Sequence, residues 1–210
     1  APKPLEPGTY ETVKVKLSAC GHRFAAGHRL RVSVGTAYWP IIWPAPEVAT
    51  LTIDTAASRL HLPVRAGGDT HPGFEPPAHG IDVPITMIRP AKLERTVTTD
   101  FLTGEVTYVT DGQGGLFGEG VLRFDEVGTV LSHSLRRELK IHPDDPATAA
   151  YRLNQVYEIG REGWETVIHL DTEMTSDRDT FYLKANMQVS HNGEVVTVRD
   201  WDESLPRELI

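Results

Sequence analysis

Apolar and polar side chains alternate with a period of two along much of this chain, which places every second residue on one face of a β-strand. Val13, Val15 and Leu17 alternate with Lys14 and Lys16, and Leu30, Val32 and Val34 alternate with Arg29, Arg31 and Ser33. The cleanest stripe is Phe181, Leu183, Ala185, Met187 and Val189, set against Tyr182, Lys184, Asn186 and Gln188. Asn192-Gly193 follows, the pair best able to take positive φ at both central positions of a type I′ turn, and Val195, Val196 and Val198 resume the pattern. This predicts a hairpin. Burial of a large apolar side chain contributes about 1.5 to 3 kcal/mol, whereas ordering one backbone residue costs about 1 to 2 kcal/mol. A lone hairpin does not survive that balance, so a second sheet is expected to cover it.

Further strands are predicted at 48–53, 58–64, 95–101, 104–110, 121–125, 129–140, 152–158 and 164–174, most of them separated by Gly, Pro, Asp or Asn. Strands at this spacing predict an all-β sandwich or jelly roll. One short helix fits near 146–151, where Asp145 can cap and Pro146 suits the first helical position. A parallel α/β sheet is excluded for want of crossover helices. The Gly-, Pro- and His-rich stretch 65–90 and the glycine-rich stretch Gly112–Gly120 read as surface loops. At 210 residues the whole chain, 1–210, is expected to form one β-sandwich domain.

Composition narrows the function classes. A net charge of −8, from 21 basic and 29 acidic residues, leaves no basic surplus for nucleic acid or an anionic membrane. No apolar run approaches the roughly 18 residues of a membrane span. The only cysteine is Cys20, so no internal disulfide forms; packing alone must hold the fold, which suits the cytoplasm. The opening Ala-Pro-Lys-Pro-Leu-Glu-Pro-Gly has no starting Met and no signal-peptide core, and reads as the middle of a longer polypeptide.

No complete catalytic constellation is visible. An α/β-type serine hydrolase needs Gly-x-Ser-x-Gly on a strained strand-to-helix turn, and no serine has that setting. Nine histidines are present, but neither a His-Glu-x-x-His helix nor a cupin-like pair occurs. His22 and His28, and His71 and His79, are read as surface or hydrogen-bonded side chains rather than metal ligands, and no cofactor is expected. Cys20 would need a base such as His22 or His133 to act as a nucleophile; it is read instead as a small residue buried at a strand end. The glycines at 112, 114, 115, 118 and 120 are followed by the strand Val121–Phe124 and not by a helix, which argues against a dinucleotide cradle. Asp144 with Asp145, and Asp200 with Asp202 and Glu203, read as caps and turn formers.

The aromatic cluster Tyr38, Trp39, Pro40, Trp43 and Pro44 follows directly on a predicted strand. Two indoles and two prolines make a stiff apolar surface fit for sugar stacking, a pocket wall, a domain interface or plain core packing. Just before it, Gly27 permits a tight turn, and Arg29 and Arg31 share the face opposite Leu30 and Val32.

The stretch Phe24-Ala25-Ala26-Gly27-His28-Arg29-Leu30-Arg31-Val32-Ser33-Val34, with Tyr38-Trp39-Pro40 and Trp43-Pro44-Ala45-Pro46-Glu47, resembles the C-terminal domain of X-Pro dipeptidyl-peptidase and cocaine-esterase-like hydrolases. The closing Trp201-Asp202-Glu203-Ser204-Leu205-Pro206-Arg207 looks like the chain end of longer bacterial members. The resemblance implies a jelly-roll-like antiparallel β-sandwich, galactose-binding-domain-like, that packs against an upstream α/β-hydrolase domain of the same polypeptide. It implies no triad residue in this chain, and places the family domain's earliest strands upstream of it. The expected role is a non-catalytic module of an enzyme acting on ester or amide bonds, with Tyr38, Trp39, Trp43, His28 and Arg29 as candidate interface or cleft-wall residues. A free-standing carbohydrate-binding module, with Trp39 and Trp43 facing solvent, and a structural or homo-oligomerising module are the alternatives.

Overall fold

The computed structural model describes residues 3–67, 73–114 and 120–208. Among the described residues nine strands run in chain order: β1 Ile85–Arg89, β2 Lys92–Thr99, β3 Val106–Gln113, β4 Val121–Phe124, β5 Thr129–His142, β6 Asp145–Arg161, β7 Trp164–Ser176, β8 Thr180–His191 and β9 Glu194–Pro206. All belong to one antiparallel sheet, and no helix occurs among the described residues. Its spine is β5-β6-β7-β8-β9 in sequence order; β3 and β4 both pair with β5, β2 flanks β3, and β1 flanks β4.

Short turns set this order. Asn192 and Gly193 take φ of 47° and 82°, as a type I′ turn requires, and His191 pairs with Glu194 across them. At the β7–β8 turn the Asp177 carboxylate accepts the backbone N–H of Asp179 and of Thr180, each at 2.8 Å. The predicted helix at 146–151 is instead part of β6. Asp145 does accept the Ala147 N–H, at 3.0 Å, as a cap would. That bond serves an Asx turn, however, and Ala150 and Tyr151 pair with Lys140 and Leu139. Ladder pairing overrides the local helix signal.

Register gives the sheet two unlike faces, because directly opposed residues share a face. One row reads Tyr108, Leu139, Tyr151, Met174, Leu183, and another Leu135, Gln155, Leu170, Met187. On the reverse, Glu138, Arg152, Glu173, Lys184 and Asp202 alternate in sign across five strands, with Arg152 bonded to Glu173 at 2.9 Å. The apolar face is only half-buried. Among the described residues of the sheet, Val121 and Ala149 are the only buried hydrophobic side chains. Accessible surface is 17046 Å², where a compact monomer of 23.2 kDa exposes roughly 9,700 Å².

The predicted strands at 13–17, 30–34, 48–53 and 58–64 are irregular, and their apolar residues are exposed, Val15 at 75% and Val64 at 89%. Each is a short amphipathic segment without a ladder partner, and an unpaired strand gains too little to offset its ordering cost. The second layer of the expected sandwich is therefore not among the described strands. The predicted loop at 65–90, of which 68–72 lie outside the described residues, ends in β1, paired with β4. Cys20 is exposed on irregular chain and not buried at a strand end. His71, Gly115 and Gly118 lie outside the described residues.

Candidate functional site

Residues 38–47 leave the irregular amino-terminal stretch and lie as a strap across one end of the apolar face. The strap is bent by a turn in which the Tyr38 carbonyl accepts the N–H groups of Ile41 and Ile42, each at 2.9 Å, around a cis Trp39–Pro40 bond. The turn brings the two indoles edge to face, with centroids 5.4 Å apart at 79°. Trp43 then meets the Phe181 ring of β8 edge-on at 6.2 Å and donates its indole N–H to the Ser176 hydroxyl at 2.9 Å.

Arg207 locks this contact from beyond the end of β9. Its side chain is 1% exposed, and its guanidinium sits 4.8 Å over the Phe181 ring. One terminal nitrogen donates to Ser176 Oγ at 3.0 Å and to the Asp177 carbonyl at 2.8 Å; the other donates to the Pro44 carbonyl at 2.6 Å. Burial pulls Arg207 below its ordinary pKa, opposed by nearby Asp177. Glu47, at the end of the strap, pairs with Arg178. The Asp177 carboxyl is held below the usual carboxylate range, first by the Tyr182 hydroxyl at 2.6 Å and then by the backbone N–H groups of the turn; the same bond raises Tyr182.

Under the strap lies a cleft of about 260 Å³, walled by Trp39, Pro40, Ile41 and Trp43 on one side and by Arg137, Leu139, Tyr151 and Met174 of the sheet on the other. A second depression of about 170 Å³ opens on the polar face, where Glu105 meets Lys140 at 2.6 Å and Glu173 meets Arg152. Its third carboxylate, Glu138, pairs with Arg136 at 3.6 Å, so each carboxylate there has a cation beside it. Among the described residues, no group of three or more His, Cys, Asp or Glu side chains is placed to hold a metal.

Of the candidate site residues, Trp39 and Trp43 come together in the cleft. Tyr38 contributes the turn carbonyl while its ring is 65% exposed. His28 closes a turn through its N–H to the Ala25 carbonyl at 3.1 Å; it and Arg29 are exposed and do not line the cleft. Half-buried, edge-to-face indoles do not offer the flat platform that sugar stacking uses. Sequence reasoning missed Arg137, Ser176, Phe181 as a clamp surface, and Arg207. Only Arg137 left a signal, as a charge interrupting the apolar stripe Leu131, His133, Leu135, Leu139 of β5.

The strap carries the Trp-rich motif and lies within the segment that a family model matches. Residues 1–72 match the family model of the X-Pro dipeptidyl-peptidase C-terminal non-catalytic domain. That is about a third of the chain, and it includes the strap but ends before β1. No curated protein and no solved structure matches the chain. The chain is thus similar to the family along its first 72 residues, while the described sheet lies outside the match.

Proposed function

We propose that this chain is a non-catalytic C-terminal β module of a longer α/β-hydrolase, similar to X-Pro dipeptidyl-peptidase and cocaine-esterase-like enzymes, that acts on ester or amide bonds in the cytoplasm. The module stabilises the catalytic domain and helps to wall its cleft. The observation that carries this reading is the half-exposed apolar face of the sheet, with a family-matched segment strapped over one end of it.

Such a face calls for a second layer. Strands β5 to β8 have 14, 17, 13 and 12 residues. At about 3.3 Å per residue and about 4.8 Å between strands, they present roughly 40 by 19 Å, or about 760 Å². One side of a standard stable interface buries about 800 Å². The layer completes a jelly-roll-like sandwich: the amphipathic segments at 13–17, 30–34, 48–53 and 58–64 contribute strands, and the upstream domain supplies the partners that order them. Exposed apolar stripes on those segments and a half-exposed apolar sheet are complementary halves of one core.

The test is hydrolysis of small acyl esters by the 210 residues alone and by a polypeptide that carries an α/β-hydrolase domain upstream. Turnover is expected only from the longer polypeptide, with its thermal midpoint lowered when this module is removed. Turnover by the 210 residues alone would overturn the assignment.

A further inference from the structure

The charge distribution around the strap cleft is unlike that of the rest of the sheet. Arg136, whose side chain is on the polar face, meets Asp111 at 3.4 Å and Glu138 at 3.6 Å. Arg137, one residue on and therefore on the opposite face, has neither an ion pair nor a hydrogen bond among the described residues, although its side chain lines the cleft. Its register explains why. It is opposed by Thr110 on β3 and Leu153 on β6, and the next residues along its own face are Leu135 and Leu139. On the far side of Thr110 stands Arg95, a second cation. Among the described residues, no carboxylate of the ladder is placed to neutralise Arg137.

The indoles beside Arg137 offer the cleft their apolar surface, because the Trp39 N–H is buried and so is not presented to a ligand there. The remaining wall is aromatic or soft: Trp43, Tyr151 and Met174. A ligand that complements these groups brings a planar anion to the guanidinium fork and an apolar, preferably aromatic, body to the indoles. We infer that the strap cleft is a binding site for a small aromatic carboxylate. The volume of about 260 Å³ lies just below the roughly 300 to 1,000 Å³ of sites that take drug-sized ligands, which sets the scale at one ring with a short acid arm. This inference goes beyond the hydrolase reading and does not depend on it.

The probe is phenylacetate, with phenylacetamide as its uncharged isostere, titrated into the 210-residue chain by calorimetry and followed by tryptophan fluorescence. Phenylacetate is expected to saturate, with the amide at least about tenfold weaker, since a charge-assisted bond is roughly twice as strong as a neutral one. Arg137→Gln removes the preference for the acid, whereas Arg136→Gln on the polar face leaves it intact. Equal binding of acid and amide, no saturable binding of either, or equal effects of the two arginine substitutions would each overturn the inference. Ester hydrolysis by a longer polypeptide has no bearing on this result, so the two readings fail separately.

Discussion

Trp43 and Ser176 are joined by an indole-to-hydroxyl hydrogen bond of 2.9 Å across 133 positions of sequence. The bond fastens the family-matched strap to the end of β7, and Ser176 also accepts from Arg207 at 3.0 Å. One hydroxyl oxygen thus ties three distant segments together.

Ser176→Ala removes the acceptor of the part-buried Trp43 N–H and one of the two acceptors of an Arg207 nitrogen, and is expected to cost about 1 to 3 kcal/mol in urea unfolding. Trp43→Phe loses the N–H and also the second ring that packs against Trp39 and Phe181, so it should cost at least as much, about 1 to 3 kcal/mol. The double substitution should fall short of the sum, because each single change breaks the same bond. Strict additivity would show that the strap is not held through Ser176.

Arg207→Met keeps a long apolar stem over Phe181 but leaves the Pro44 and Asp177 carbonyls without their donor. A loss of about 2 to 3 kcal/mol is expected, together with faster proteolytic cleavage within residues 38–47. Arg207→Lys should recover only part of this, since an ammonium cannot reproduce the forked geometry that reaches both carbonyls. Full rescue by lysine would contradict the clamp described above.

The β-hairpin pattern from 181 to 198 was readable because its apolar stripe and its Asn192-Gly193 turn are local signals, and β8 and β9 form around that turn. The strands predicted from 95 onward match β2 to β7 to within a few residues, apart from the start of β6. At Asp145-Pro146 the sequence resembles a helix cap, yet an Asx turn uses the same carboxylate bond, and only pairing with β5 decides between them. The amino-terminal alternation at 13–17 and 30–34 carries the same signal as β8, but alternation specifies a face and not a partner. At the candidate site, the sequence marked Trp39 and Trp43 through their spacing. It could not mark Arg207, whose partners Pro44 and Ser176 lie 163 and 31 positions away.

His133 offers a pH test. Its side chain is 5% exposed and stacked on Tyr157 with centroids 4.3 Å apart, and burial pushes its pKa below the ordinary histidine value. In the unfolded chain the imidazole titrates near about 6.5, so below that pH the unfolded state binds more protons than the folded one. Stability is then lost as pH falls from about 6.5 toward the lower folded value, by at most about 1.4 kcal/mol per pH unit for this one group. Chemical denaturation at pH 7.5 and 5.5 should show a smaller drop for His133→Phe than for the parent chain. Asp177 and Asp125, both held low, contribute their losses only at more acid pH. An identical drop in both proteins would remove His133 from the account.

The claim that the apolar face is a docking surface is tested most directly by cysteine labelling. In a Cys20→Ser background, Met187→Cys places a thiol on the apolar face and Gln188→Cys places one on the polar face of the same strand. Maleimide labelling is compared between the 210 residues alone and the polypeptide with an upstream α/β-hydrolase domain. The account predicts that position 187 becomes at least about tenfold slower to label in the longer polypeptide, while position 188 is unchanged. Equal labelling of position 187 in the two polypeptides would contradict it.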